Sequence, residues 1–571
     1  MRKTGEVRLE SRMKADKPKH VKRKERAERY YGYGKLAKKL YERSKNNEAF
    51  TDLMGIIEDE RNIAQAYRSL KRNKGANTLG TDQMRMKDIG KMEVGKLRER
   101  IREKLKDYHP QAVRRKYIPK KKPGEKRPLG IPTSIDKMIQ QMMKQVLEAI
   151  FEAKFKKSSY GFRPKRNQHE AIEHINKIIV HGRYTHAIEF DIKKYFDTVD
   201  HNILEEIIRR EGIKDPRVLG IIRKMLRAPI KGEGKPEKGT PQGGVLSPLL
   251  ANIYLNELDR YIYNEYQDYP KWKKNGKKIR AVHIVRYADD FVIFVKTYGD
   301  AKYYYEKVVE WLKRMRLEHA PEKTRITNLK RRAINFLGIK IKAAKSRKKA
   351  IKHLVAKSYI PKESIKRLIK KIKKAHPKNK LAVVRGTFQY WQVATEVSKA
   401  ASRYNYLIMR RARRRKPKKK KTDPENKTKD DLVIDPERLK IIAIHYKKCR
   451  AASQETFLIK IEDLAEYPEL TNWYKVETDE MEKYDIIRSK FSAQNGRDAI
   501  TRKELYKPHC HRIRPGEKGG EYVYTNCILI NEETHQAIHG TIKTLAKFIK
   551  SNRLKPAKER KLVELWRKAH E

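Results

Sequence analysis

Asp289 and Asp290 follow Tyr287-Ala288 and stand between two runs of strand character, Val282 to Arg286 and Phe291 to Val295. That arrangement places adjacent carboxylates at the tip of a tight β-hairpin. Burying acids beside Val and Ile strands is costly unless something cationic neutralises them. A divalent metal is the natural neutraliser, and hard Mg²⁺ prefers carboxylate oxygens and substrate phosphates. An Asp pair alone in a turn is commonplace, but Asp191 directly follows another strand-like run, Ala187-Ile188-Glu189-Phe190. Two neighbouring strand ends would then bring three carboxylates together, as two-metal phosphoryl transfer requires: one ion activates an attacking 3′-hydroxyl and the other clamps a leaving pyrophosphate.

A second group lies near the C-terminus: His509-Cys510-His511-Arg512, Asn526, His535 and His539. His535 and His539, four residues apart, share one helix face, a spacing that suits a metal held by two imidazoles.

The elements that must position these groups follow from hydrophobic period. Residues 51–350 mix amphipathic helices with short β-rich runs and read as one large α+β unit. Residues 351–416 are helical in pattern, with Ile365, Leu368, Ile369 and Ile372 on one face and Lys366, Arg367, Lys370 and Lys371 around it. Residues 1–50 read as a basic arm that orders on a partner or stays solvated. The run from Arg410 to Lys421 cannot bury anything, so 417–487 is taken as a basic linker and DNA-binding region, and 488–571 as a small closing unit.

Of the 571 residues, 139 are Lys or Arg and 71 Asp or Glu, a formal charge of +68. This excess calls for a polyanionic partner whose affinity falls steeply with salt. The composition, 38% hydrophobic and 9% aromatic, still supplies sizeable cores and excludes wholesale disorder. Three cysteines without a CxxC pair argue against a disulfide scaffold or a four-cysteine zinc ribbon. The start carries no apolar leader and no stretch is long enough to span a bilayer, so the expectation is a cytoplasmic protein without membrane association.

Three motifs stand in polymerase order: Asp191-Ile192-Lys193-Lys194-Tyr195-Phe196-Asp197, Gly239-Thr240-Pro241-Gln242-Gly243-Gly244 and Tyr287-Ala288-Asp289-Asp290. With Lys126 to Pro132, Ser159 to Pro164, Pro321 to Thr324 and Phe336-Leu337-Gly338, the chain resembles the bacterial group II intron-encoded reverse transcriptases and maturases over roughly residues 50 to 545. The resemblance implies a right-hand polymerase, with fingers and palm built on an antiparallel sheet and then a helical thumb or maturase region. It implies Asp191, Asp289 and Asp290 as ligands of two Mg²⁺ ions, with the Ile192 carbonyl a further ligand. Phe196 would be an aromatic gate against the 2′-hydroxyl of a ribonucleotide, and Gln242 a contact to the nucleotide or template pair. Arg127 would hold the triphosphate of a dNTP, and Lys323 would neutralise or protonate the leaving pyrophosphate. The implied partners are group II intron RNA, target DNA and dNTPs; oligomeric state stays open, a dimer included. Chemistry would be RNA-directed DNA synthesis, with help in splicing and target-primed mobility.

The histidine group, with Gly519-Gly520 and Asn526 between its halves, resembles an HNH endonuclease of ββα-metal type, which would cut target DNA. Its usual zinc cysteines are absent, so this unit is expected to hold together by packing alone. One register makes His511, His535 and His539 the ligands of one divalent ion, Mg²⁺ or Zn²⁺, and leaves Arg512 where the general base belongs. A second makes Cys510 the ligand and His511 the base. Two other readings remain, a different retroelement polymerase without a splicing role and a protein acting chiefly as an RNA-binding splicing cofactor.

Overall fold

The computed structural model describes residues 33–73, 75–119, 124–164, 166–264, 280–345, 354–412, 481–494, 497–505, 508–517 and 519–570. The expected arm before residue 33 and most of the expected basic linker, 413–480, lie outside the described residues.

Helix α1 (Tyr33–Lys45) corrects the basic-arm expectation for its last third. Leu40 is buried and the Ser44 hydroxyl donates to the Ile150 carbonyl at 2.8 Å. A net basic segment can dock in this way because one buried stripe suffices, while Lys39 and Lys45 stay exposed. Helix α2 (Glu60–Leu70) is capped by Asp59, which accepts from Arg61 N at 2.8 Å. An antiparallel hairpin of β1 (Arg114–Pro119) and β2 (Lys126–Ile131) leads into helix α3 (Ser134–Glu152), which packs against α1 and α2. Helix α4 (Gln168–Gly182) precedes β3 (His186–Phe190).

After helix α5 (Ser247–Ile262) come β4 (Val282–Tyr287), β5 (Asp290–Val295), helix α6 (Tyr298–Arg314) and β6 (Arg325–Asn328). The four strands form one antiparallel sheet in the order β4-β5-β3-β6. Strand β5 is apolar on both faces for a visible reason: Phe291, Ile293 and Val295 join one core with α5 and α6, while Val292 and Phe294 join a second core with α4.

A second antiparallel sheet, β7 (Ile334–Phe336), β8 (Ile339–Lys345) and β9 (Leu354–Tyr359), belongs to that second core. The expected boundary at 350/351 therefore falls between two paired strands, and the helical part starts only at α7 (Lys362–Lys374). There Ile365, Leu368 and Ile372 are buried and Lys366, Arg367, Lys370 and Lys371 exposed, as the period required. Helices α8 (Lys380–Trp391) and α9 (Val397–Ala412) complete the bundle. Tyr390 ties it to the rest, since its hydroxyl donates to Leu337 O at 2.6 Å and its carbonyl bonds His169 Nε2 at 2.7 Å.

Helix α10 (Met481–Gln494) runs unbroken across the expected boundary at 487/488. It packs on α2, where buried Arg68 donates to Ser489 Oγ. Strands β10 (His509–Arg512) and β11 (Cys527–Ile530) then pair antiparallel and lead into helices α11 (Glu532–His539), α12 (Ile542–Asn552) and α13 (Pro556–His570). This unit is not held by packing alone. Asp498, fully buried, accepts from Ile500 N at 2.7 Å, Thr501 N at 2.9 Å, Asn531 N at 2.7 Å and Thr534 Oγ1 at 2.9 Å. One carboxylate thus joins the loop before β10 to the start of α11 by directed bonds.

Asp498→Ala would leave those donors buried and unmet, at about 1–3 kcal/mol each when uncompensated. Hydrogen exchange of the β10–β11 amides should accelerate by on the order of 100-fold or more, with the β3–β5 amides unaffected.

Candidate functional site

Three carboxylates gather at one end of the four-stranded sheet because of register. Phe190 pairs with Phe291, so Asp191, the next residue, leaves β3 beside the start of β5. Tyr287 pairs with Asp290, and Ala288 and Asp289 form the two-residue turn between β4 and β5, Ala288 in the left-handed region at φ 60°. Asp289 is half-buried and Asp290 exposed, so only one of the two acids bears the burial that the sequence suggested for both. Burial raises the Asp289 carboxyl above its usual range; the Asp191 charge adds to the rise, and Arg127 and Arg286 oppose it.

The turn is held from behind by Arg286, fully buried. Its guanidinium donates to both oxygens of Asp259, with Nε at 3.1 and 2.9 Å, to Asn252 Oδ1 at 3.0 Å and to the Ala288 carbonyl at 2.9 Å. Asn252 in turn donates to Gly161 O at 2.7 Å, and the Arg286 backbone bonds Ser158 O and Tyr160 N, each at 2.9 Å. A Cβ on Gly161 would overlap the Ala288 nitrogen, so this glycine is required by contact with the acidic turn. Gly243, at φ 109°, meets the Gly130 carbonyl in the same way, joining the loop that carries Gln242 to β2.

The other residues expected here lie around the same sheet end. Lys323 Nζ sits 2.9 Å from Asp191 Oδ2, and that bond raises the pKa of the ammonium. Arg127, exposed on β2, is close enough for its charge to act on Asp289. Gln242 Nε2 donates to Asp197 Oδ1 at 3.2 Å. Phe196 lies half-buried on a short helical turn, Tyr195–Thr198, edge-to-face with Phe162. Ile192 bridges to His319 through bonds made by its neighbours, Lys193 N to Glu318 O and Ala320 N to Asp191 O, which turns its own carbonyl to the opposite side of the strand. The hard oxygens of the three aspartates are the donor chemistry Mg²⁺ selects, and a cationic Lys323 already rests on one of them.

The histidine group is tightly set. Ligand atoms of His511, His535 and His539 all lie within 4.8 Å of one another. Burial lowers the His511 pKa to about 4, with His539 and His535 adding to the fall, and burial likewise lowers both partners. Three neutral imidazoles are thus presented near pH 7, a donor set suited to zinc-like ions more than to Mg²⁺.

Strand alternation overturns the register with Cys510 as ligand. Cys510 packs with Ile487, Leu505 and Leu529 on the opposite face of β10 from His511 and bonds Cys527, whose thiol pKa that bond lowers. Arg512 shares the Cys510 face and lies over the Tyr522 ring at 4.6 Å. Asn526 braces the loop: its Oδ1 accepts from Arg514 N at 2.8 Å and its Nδ2 donates to Arg514 O and Glu521 O, each at 3.1 Å.

Sequence reasoning named His509 without giving it a role and missed Arg286. His509, two before His511 and therefore on its face, stacks on His535 at 4.8 Å and pairs with Glu532; the i, i+2 pattern was the available signal. For Arg286 no local signal exists, because its partner Asp259 is distant in sequence.

The sequence profile described as reverse transcriptase (RNA-dependent DNA polymerase) matches residues 118–341. The group II intron-encoded protein LtrA of Lactococcus lactis subsp. cremoris is 32% identical over 355 residues, 52% of this chain and 58% of that protein. Protein YkfC of Escherichia coli (strain K12) is 34% identical over 272 residues, 43% of this chain and 70% of that protein. The nuclear intron maturase 1, mitochondrial, of Arabidopsis thaliana is 25% identical over 223 residues, 25% of this chain and 31% of that protein. The match therefore spans little more than half the length of the Lactococcus protein.

The buried pair offers a check on the frame of the site. Arg286→Met strands the Asp259 charge and should cost about 3–5 kcal/mol in urea unfolding. Adding Asp259→Leu should restore a large part of that loss, since two apolar side chains can replace a buried ion pair at little cost.

Proposed function

We propose, from the premise that this chain belongs to the reverse transcriptase family and to its group II intron-encoded members, that it copies RNA into DNA at Asp191, Asp289 and Asp290. The observation that carries the reading is the register placing these three acids at one sheet end, with Arg127 and Lys323 as cations beside them. These carboxylates would hold Mg²⁺, which supplies an activated 3′-hydroxyl and charge neutralisation at the leaving group. Arg127 binds the triphosphate of an incoming dNTP through its planar fork. Lys323, protonated and mobile on its stem, passes from Asp191 to the pyrophosphate. Gln242 orients the nucleotide against the template, its loop held to β2 by the close approach of Gly243 to Gly130. Phe196 closes the space a 2′-hydroxyl would take.

The exposed basic stripe of α7 suits contacts to structured RNA and supports a part in splicing the intron. Among the described residues no helix is long and apolar enough to cross a membrane. Asp289→Asn with Asp290→Asn should abolish primer extension on an RNA template while RNA affinity stays within about twofold, since most of that affinity comes from contacts to basic side chains. DNA synthesis persisting in that variant would overturn the assignment.

The finer part of the proposal is that the C-terminal unit is an HNH nuclease acting on target DNA to provide a primer for intron mobility. His511, His535 and His539 would hold one zinc-like ion, which supplies Lewis-acid stabilisation of a cleaved phosphate. Arg512, at the usual base position, cannot accept a proton at neutral pH and lies on the other face, so His509 is the imidazole that the register presents beside the trio. His535→Ala with His539→Ala should remove one bound metal per chain and all metal-dependent nicking, measured by elemental analysis and plasmid relaxation, with primer extension retained. Metal content unchanged in that variant would refute the site.

A further inference from the structure

Phe162 combines two features that folding alone disfavours. It is 50% exposed, whereas Ser158, Ser159, Tyr160, Gly161 and Arg163 around it are all buried. It also stands in the left-handed region at φ 58°, unusual for a bulky side chain and a source of about 1–2 kcal/mol of strain. Asn or Gly would make this turn at lower cost.

Both neighbours are fixed. Gly161 is pressed on the Ala288 nitrogen and bound by Asn252. Arg163 donates to both Glu152 oxygens, to Lys156 O at 2.7 Å and to Ser159 O at 2.8 Å. The loop between these anchors turns one aromatic ring outward at the end of the sheet that carries Asp289. That ring meets Phe196 edge-to-face, centroids 6.4 Å apart and planes at 80°, while Tyr195 holds Phe196 from another side at 5.5 Å.

We propose that Phe162 is a specificity-determining residue for the nucleotide sugar, forming with Phe196 a two-ring wall that admits a deoxyribose and refuses a ribose. The inference rests on the polymerase reading above and adds a residue to it. Phe196, on a single helical turn, is held on one side by Tyr195; an edge-to-face partner on an independently anchored loop braces its other side. The exposed apolar area of the pair is covered when a sugar binds, while the backbone strain is sustained by the anchors on either side of Phe162.

The test is single-nucleotide extension of a DNA primer on an RNA template by the full chain, comparing kcat/KM for each dNTP and its rNTP. Phe162→Ala should lower the dNTP-to-rNTP preference by on the order of 10-fold, about 1.4 kcal/mol, chiefly by raising rNTP use. Phe162→Tyr, which keeps the ring, should retain the preference. Tyr298→Ala removes an exposed aromatic at the opposite end of the sheet and should leave both values unchanged. A Phe162→Ala preference equal to wild type, with Phe196→Ala losing its preference, would overturn the proposal and leave the gate at Phe196 standing. Equal losses for dNTP and rNTP in Phe162→Ala would make the residue merely structural and overturn it as well. A wild type that extends no primer would instead remove the polymerase reading on which the proposal rests.

Discussion

The ion pair between Arg286 and Asp259, with both side chains fully buried, is the constraint on which the acidic end of the sheet depends. A guanidinium so far from water is tolerable only when its donors are matched, and here Asp259, Asn252 and the Ala288 carbonyl take them up. The consequence is geometric. Ala288 adopts a left-handed conformation that alanine does not favour, and the bond to its carbonyl helps to hold it there. Asp289 follows immediately, so its direction is set by a network that never touches a substrate.

The same network spreads to the loop from Ser158 to Arg163, through Asn252 to Gly161 and through the backbone of Arg286. Three segments distant in sequence therefore share one buried charge. The sheet contributes the complementary constraint: its strand β5, apolar on both faces, is fixed between two cores and cannot shift register without moving Phe and Ile side chains from one core to the other. Rigidity of this kind is what carboxylates need if they are to be held close in spite of mutual repulsion.

Much of this was legible in the sequence where the signal is local. The β-branched and aromatic runs around Asp289 and Asp290 gave a hairpin, and the strand-like run before Asp191 gave the opposing end. The basic stripe of α7 followed from its period. What escaped notice depends on partners far along the chain. Residues 33–45 look like a solvated arm until α3 offers a surface for Leu40. Strand β9 carries Lys357, Ser358 and Tyr359 and looks unlike a strand until it pairs with β8. Asp498 looks like an ordinary turn residue until Thr534 and the Asn531 amide close on it. In a chain this basic, Arg286 reads by default as surface, and only tertiary structure reveals its burial.

The close backbone approaches at Gly161 and Gly243 bear on how such a sequence can drift. At both positions the obstacle is main chain, and main chain offers no alternative rotamer through which a neighbour could yield. A single methyl group at Gly161 has no compensating substitution at Ala288, because the overlap is with its nitrogen. Residues without chemistry of their own are therefore held as strictly as the acids they support, because the hydrogen atom that stands in for a side chain is a condition of the acidic turn's position at Gly161 and of the approach to β2 at Gly243.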